Sequence, residues 1–487
     1  MADTPLRFIS VSAEVTPWSK VGGLADVAQA LPVALARRGH QVIAVTPRYR
    51  DYADAWDTRR TARFGLFGQV HEVRYFHAEI DGVHRIFIDH PVLARGGVYA
   101  DENGVFGDNL LRFALLSRAA IEAPHHVGLE LPEEGRDTVL MAHDWHGALA
   151  AVYLAARYRH FGVLQRARSM LVIHNMAHQG VYAPDAFSGL DLERSWWPTM
   201  EMGGVLNLLK GGIMAADRVV TVSPRYADEI RSPEGGFGLD PLLRLRGPVV
   251  GGVVNGLDTQ AWDPAHDPHL VAPYDAGNLA GKAACKAAIQ AELGLPVDAG
   301  VPLVAFVGRL DAQKGLDLLL AVRDWLVSQG AQLAVLGSGD PRLEDAMRRA
   351  QGPTVRAHIG FSGPMAHRLT AGADILVVPS RFEPCGLTQV QAMRYGTVPV
   401  VAATGGLVDT VQPYEPFAQT GTGWLFAPGS AGDLARALGE ALYTWRHWRD
   451  SFQDIARRGM ARDASWDAPA AAYEAMARES LAWPAFV

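Results

Sequence analysis

A chain of 487 residues with 49% apolar and 20% charged side chains exceeds what one hydrophobic core supports and is expected to fold as two soluble domains of roughly 200 to 250 residues each. It has no run of 18 apolar residues to span a bilayer, only Cys285 and Cys385 as thiols and no Cys or His cluster with zinc spacing, which excludes membrane-spanning and disulfide-framework classes. The formal net charge of −7 argues against nonspecific nucleic-acid binding, so any anionic ligand must be caught by individually placed residues.

The first fifteen residues carry Asp3 and a single Arg7 ahead of a short apolar run. This lacks the basic-then-apolar layout of a signal peptide, so a cytoplasmic location is expected. Phe8 to Val11 reads as a strand, and Lys20-Val21-Gly22-Gly23-Leu24 behind it opens a helix through Val27 and Ala28. Free backbone N–H groups and one ammonium there could face an anion, although a plain helix start accounts for the same residues. Val42 to Val45, Arg85 to Ile88, Val139 to Ala142, Leu171 to Ile173 and Val219 to Val222 continue a strand–helix alternation, the rhythm of a parallel sheet. His143-Asp144-Trp145-His146 and His174-Asn175 follow two of these strands. An indole can stack on a sugar's C–H face while a carboxylate accepts its hydroxyls; a capping Asp with a packed Trp is the competing explanation.

After Asn255-Gly256-Leu257-Asp258 the chain turns irregular, rich in Pro, Asp and His up to Tyr274, which marks a domain crossover. Leu303 to Val307, Gln332 to Leu336, Ile375 to Val378 and Val398 to Val401 are then strands between helix-length segments. Arg309 and Lys314, five residues apart after the first of them, could converge on a diphosphate and stabilise it as a leaving group, or be two solvated surface cations. Gly337-Ser338-Gly339-Asp340 lacks the third glycine of a dinucleotide fingerprint, and a tight turn explains it as well as ligand contact does. The stretch Pro379-Ser-Arg-Phe-Glu-Pro-Cys-Gly-Leu-Thr388 sets Glu383 on a sharp Pro/Gly turn directly after an apolar strand, where open α/β sheets bind ligands. No Asp-x-Asp occurs, so phosphate neutralisation is expected to fall to Lys20, Arg309 and Lys314 with no metal and no cofactor. From Asp467 the Ala-rich tail with Tyr473, Met476 and Leu481 reads as a helix.

Lys20 to Asp26, His143 to His146, His174-Asn175, Asn255 to Asp258, Arg309 with Lys314, and Pro379 to Gln389, in that order, resemble the bacterial glycogen synthase and plant starch synthase family. The resemblance implies a GT-B fold: α/β, two doubly wound Rossmann-like domains facing a deep cleft, here 1–256 and 257–466, with 467–487 packing back on the first. It implies glucosyl transfer from ADP-glucose to the nonreducing end of an α-1,4-glucan with retention, these two molecules being the expected partners, with neither nucleic acid nor membrane. By the same resemblance Lys20, Gly22 and Gly23 contact the donor, Arg309 and Lys314 grip its phosphates, and Glu383 holds glucose and stabilises charge at the anomeric carbon. Cys385, Gly386 and Leu387 offer backbone N–H groups to the sugar, Thr388 lies near the diphosphate, and the His174 carbonyl sits beside the anomeric centre. Tyr99, Asp144, Trp145 and Asn255 line the glucose and acceptor region. Three positions depart from the common pattern. Phe361 replaces an adenine-stacking Tyr, His178 stands where Tyr is usual, and Gln391 takes the place of a second Glu, which puts a charged ribose contact in doubt. A related transferase with another donor or a small acceptor, and a noncatalytic glucan-binding scaffold, are the rival readings.

Overall fold

The computed structural model describes residues 4–129 and 131–483; Asp3, and the outermost residues of the expected first and last segments, lie outside them. The chain forms two compact units, the first running to Val222 and including Ala227–Val253 and the stretch from Trp466 onward, the second comprising Ser223–Tyr226 and Val254–Ser465.

The first unit is built on a nine-stranded sheet. Its strands are β1 (Arg7–Val11), β2 (Gln41–Pro47), β3 (Trp56–Leu66), β4 (Gln69–Ile80), β5 (Val83–Asp89), β6 (Thr138–His143), β7 (Arg168–Ile173), β8 (Arg218–Thr221) and β9 (Val250–Gly252). They lie in the order β9-β8-β7-β6-β1-β2-β5-β4-β3. From β9 to β5 the pairing is parallel, Arg7 facing Gln41 on one side and Thr138 on the other. β6 and β7 are buried along their whole length, because helices cover both faces and leave no solvent side to a parallel strand. β3 and β4 instead form an antiparallel hairpin at the edge, with exposed and buried residues alternating toward the β3 end. Three helices matter to the site: α1 (Gly23–Arg37), α2 (Asn109–His126) and α3 (Asp144–Tyr153). The helix Asp467–Ala482 adds Ala470, Tyr473 and Ala477 to the core formed by Phe8, Leu31, Val42 and Val172, and Arg168 Nε on β7 donates to the Ser480 carbonyl at 3.2 Å.

The second unit has six parallel strands, β10 (Leu303–Val307), β11 (Gln332–Gly337), β12 (Val355–Ile359), β13 (Ile375–Val378), β14 (Val398–Ala402) and β15 (Trp424–Phe426), ordered β12-β11-β10-β13-β14-β15. The chain winds outward through β11 and β12, then returns to place β13 on the other side of β10, with Val304 opposite Ile375. This is the doubly wound order, and it opens a crevice where the winding reverses, beyond the carboxyl ends of β10 and β13. In the first unit the reversal lies between β1 and β6. The segments that carry Lys20, His143 to His146, Arg309 with Lys314, and Glu383 leave these four strands, while His174-Asn175 follows β7 and Asn255 follows β9.

Candidate active site

In the second unit the turn after β13 carries Glu383, only 5% exposed. Its Oε2 accepts from Lys314 Nζ at 2.6 Å and from Ser380 Oγ at 2.8 Å. Lys314 arrives on the loop after β10, a neighbour of β13 in space although 69 residues separate the pair. Gly315 closes that loop in the left-handed region at φ 70°, and a Cβ there would meet the Pro379 carbonyl at 2.0 Å. Glycine is thus required twice over at the point where the two strand ends touch. Arg309 does not join Lys314 at Glu383. Its guanidinium donates to Gln313 Oε1 at 3.1 Å and pairs with Asp311 Oδ2 at 2.9 Å, and its side chain is more than half exposed. The two residues meet instead on Asp311, whose Oδ1 accepts from the Lys314 backbone N–H at 2.8 Å, while their side-chain cations engage different carboxylates, Arg309 that of Asp311 and Lys314 that of Glu383.

Cys385 is buried, and burial pushes its thiol up to about 12 against the pull of hydrogen bonds from Asn255. That contact sets Asn255 beside the Glu383 turn. The backbone of the turn is held from behind: Gln389 Nε2 donates to the carbonyls of Cys385 at 3.1 Å and Gly386 at 2.8 Å, and to Thr410 Oγ1 at 2.9 Å. Gly386 has φ 69°, and Leu387 precedes the helix Thr388–Arg394. Gly405 and Gly406, which sequence reasoning passed over, press on the same turn; a Cβ on them would meet the carbonyls of Glu383 at 2.0 Å and Cys385 at 2.1 Å. A glycine pair directly after the apolar strand Val398–Ala402 was the available signal. Phe361 lies on the loop after β12 and is 88% exposed, so its π-face is open to solvent. Gly337 and Gly339 are explained by packing, since a Cβ on either would strike the carbonyl of Gly308 or Leu310 at 1.9 or 2.5 Å.

In the first unit the loop after β1 departs from expectation. The N–H groups of Val21 and Gly22, anticipated as free anion donors, both donate to Glu14 Oε2, at 2.5 and 3.1 Å. Lys20 Nζ is held by both oxygens of Asp26 in the first turn of α1, at 2.7 and 2.8 Å. Internal carboxylates thus occupy the positive groups of this loop, and Gly23 begins α1 directly behind them. Sequence reasoning missed Glu14, whose only local mark is a carboxylate three residues past a buried strand.

At the end of β6, His143 is fully buried, with Nε2 3.1 Å from Ser10 Oγ and Nδ1 3.0 Å from Nε2 of His174, which follows β7. Burial lowers His143 to about 4 and, with His143 and His146 nearby, carries His174 well below its ordinary value. Both rings are neutral at pH 7. Asp144 adopts φ 52°, a strained backbone that turns its carboxylate across to β7, where Oδ1 accepts from the N–H groups of His174 at 2.6 Å and Asn175 at 3.3 Å. Trp145 stands edge-on to Phe113 and fills the space beside Gly180, where a Cβ would meet the indole at 2.3 Å. Tyr99 stacks on His146 at 4.6 Å and donates to Glu14 Oε1 at 3.0 Å. Its loop is anchored by Asn109 Nδ2 on the Tyr99 carbonyl at 3.0 Å and by Arg112 on the Val98 carbonyl at 2.8 Å. Of this group Tyr99, Trp145 and His174 are half-buried while His143, Asp144 and His146 are buried, and the half-buried aromatic faces are suited to stacking on polyhydroxylated ligands. Among the described residues no three His, Cys, Asp or Glu side chains converge as a metal ion would require, and no helix is long and apolar enough to cross a membrane.

Burial pushes the Asp144 carboxyl up to about 7, against the two N–H groups that favour its charge. Between about pH 4 and 7 the folded chain therefore binds a proton that the unfolded chain has lost, and stability falls as pH rises through that window. Asp144→Asn keeps an oxygen for His174. It is expected to be more stable than the parent above pH 7, by roughly 1 to 3 kcal/mol, with the difference vanishing near pH 4. Thermal unfolding followed across pH 4 to 8 checks this; a pH-independent difference would show that burial does not govern this carboxyl.

Two family profiles match the chain, "Starch synthase catalytic domain" over residues 7–245 and "Glycosyl transferases group 1" over residues 294–458. Soluble starch synthase 1, chloroplastic/amyloplastic, of Solanum tuberosum is 44% identical over 97% of this chain and 79% of its own length. The enzyme of that name in Oryza sativa subsp. indica is 45% identical over 96% and 77%. Among solved structures, the catalytic domain of starch synthase IV from Arabidopsis thaliana, bound to ADP and acarbose, superimposes with a TM-score of 0.89 at 30% identity, covering 99% of this chain and all of that one.

Proposed function

This chain belongs to the starch synthase family of GT-B glycosyltransferases, and from that membership we propose that it transfers glucose from ADP-glucose to the nonreducing end of an α-1,4-glucan with retention of configuration, elongating glycogen. The observation that carries the reading at the level of chemistry is the Lys314–Glu383 pair at the β10/β13 reversal. It sets a cation for a departing phosphate beside a buried carboxylate for a sugar that gains positive charge, the two charges that glycosyl transfer develops. A binding scaffold has no use for such a pair.

In the proposed reaction the bond between the anomeric carbon and the β-phosphate oxygen breaks, and ADP leaves with the bonding electrons while Lys314, Arg309 and Lys20 stabilise it. Release of Lys20 from Asp26 and of Arg309 from Asp311 would free those cations for the donor. The glucan 4-hydroxyl attacks from the face the phosphate has left, and its proton passes to the departing phosphate. Glu383 and the His174 carbonyl stabilise the cationic sugar between the two events. Cys385, Gly386 and Leu387 would hold the donor's sugar by their backbone N–H groups, with Thr388 near the diphosphate, the Gly22-Gly23 loop against the donor, Asn255 beside the turn and Phe361 offered to adenine. Tyr99, Asp144 and Trp145 would receive the glucan. A trapped covalent glucosyl-enzyme would overturn this front-face route in favour of double displacement.

The test is release of ADP from ADP-glucose with glycogen present, omitted or replaced by a short maltooligosaccharide, with UDP-glucose in parallel and divalent ions chelated. Acceptor-dependent release that prefers ADP-glucose and survives chelation is expected. Release indifferent to glucan, or confined to another donor, would refute the assignment.

A further inference from the structure

Glu14 is 3% exposed and has no role among the residues assigned above, yet it touches two of their groups at once. Oε2 takes the N–H groups of Val21 and Gly22 at 2.5 and 3.1 Å, and Oε1 takes the Tyr99 hydroxyl at 3.0 Å. The residue is itself pinned, since Ser12 Oγ donates to the Glu14 carbonyl at 2.8 Å at the end of β1. Two segments 78 residues apart in sequence, Lys20–Gly23 and the loop of Tyr99, therefore meet on one carboxylate anchored to the central strand of the sheet. Three donors on a buried carboxylate hold it more firmly than a chain of surface contacts could, because leaving any of them unmade inside the protein costs desolvation that water cannot return. A consequence follows for the loop. Its amides are already spent on Glu14, so its contact with a phosphate would come from Lys20 and not from a nest of backbone donors.

The geometry points to Glu14 as a positioning residue for glucosyl transfer, which locks the Lys20–Gly23 loop and the Tyr99–His146 stack into one rigid piece so that the donor-side cation and the acceptor-side aromatic wall keep a constant spacing. The inference rests on the function proposed above for Lys20 and Tyr99. Near this carboxylate stand Asp26, Tyr49 and Asp144 as further ionisable neighbours, and Asp26 is engaged with Lys20.

Two readouts test it on the full-length protein. The first is hydrogen exchange at the backbone of residues 19–23 and 97–100, which needs no substrate. Glu14→Ala should raise exchange in both segments together by about tenfold or more, whereas Glu14→Gln, whose oxygen can take the two amides and whose NH2 can donate to Tyr99, should keep most of the protection. Loss of protection in one segment alone, or in neither, would overturn the coupling. The second is the kinetics of glucan-dependent ADP release. Glu14→Ala should lower kcat by roughly thirtyfold or more, with recovery in Glu14→Gln, and Glu14→Ala/Tyr99→Phe should fall within about twofold of Glu14→Ala alone. Values of kcat and both KM within about twofold of the parent in a folded Glu14→Ala protein, or fully additive losses in the double variant, would refute the positioning role. If the parent itself releases no ADP in a glucan-dependent way, the functional assignment has failed, and the exchange result still decides whether Glu14 couples the two segments.

Discussion

Lys314→Ala is expected to cut glucosyl transfer by about a hundredfold or more, the larger part of it in kcat. The ammonium sits 2.6 Å from Glu383 Oε2 in a loop whose conformation is imposed by Gly315 against the Pro379 carbonyl, so it is preorganised and needs no reorientation when phosphate charge develops. A factor of a hundred corresponds to about 2.7 kcal/mol of transition-state stabilisation, which one well-placed charged donor in a partly dry site can supply. The substitution also strips Glu383 of its cation and leaves Ser380 as its remaining side-chain donor among the described residues. Steady-state kinetics on Lys314→Ala, Glu383→Gln and the double variant separates the two consequences. If Lys314 acts on the leaving phosphate in its own right, the double variant is slower than either single one. If it only holds Glu383 in place, the double variant matches the slower single. Near-parental turnover in a folded Lys314→Ala protein would return this lysine to the class of surface cations.

Glu383→Gln should lower kcat by at least roughly a hundredfold while raising the ADP-glucose KM several times less. Glutamine preserves an acceptor oxygen for Ser380 and fits the same volume, so what is lost is charge. Charge matters little to a neutral hydroxyl in the ground state and much to a sugar whose anomeric carbon is becoming cationic. The buried position, 5% exposed, strengthens that interaction by excluding water. A change confined to KM, with kcat unaltered, would make Glu383 a ground-state binding residue and move the search for the stabilising group to the His174 carbonyl.

Short, mostly apolar runs located the central strands of both units. Ile375–Val378 is found where the run lies, and Leu303–Val307 likewise, because a parallel strand covered on both faces must be apolar throughout. The same logic fails at edges. β12, Val-Arg-Ala-His-Ile, is only partly buried, and its charged residues hid it; β15 is three residues long. The β3–β4 hairpin shows burial at alternate residues toward its turn, so a search for continuous apolar runs passed over it, although Ala62, Phe64 and Leu66 with the Phe67-Gly68 turn carried a period-two signal.

At the site, Glu383 could be read from its neighbours, since a carboxylate between prolines and a glycine after a buried strand is held at a strand end by local chemistry. Glu14 could not. Nothing within a few residues of it announces that the chain folds back to place Val21 and Gly22 on its carboxylate, or that Tyr99 arrives from a distant loop.

The sequence alone determined which residues stand at strand ends, because the burial demanded of a strand and the backbone freedom demanded of a glycine are properties of a few adjacent residues. Which charge meets which was decided by tertiary structure. Lys314 faces Glu383 because the winding reversal makes β10 and β13 neighbours, Arg309 turns to Asp311, and Lys20 turns to Asp26. Coulomb attraction selects partners by distance in space, and that distance exists only once the order of the strands has been set.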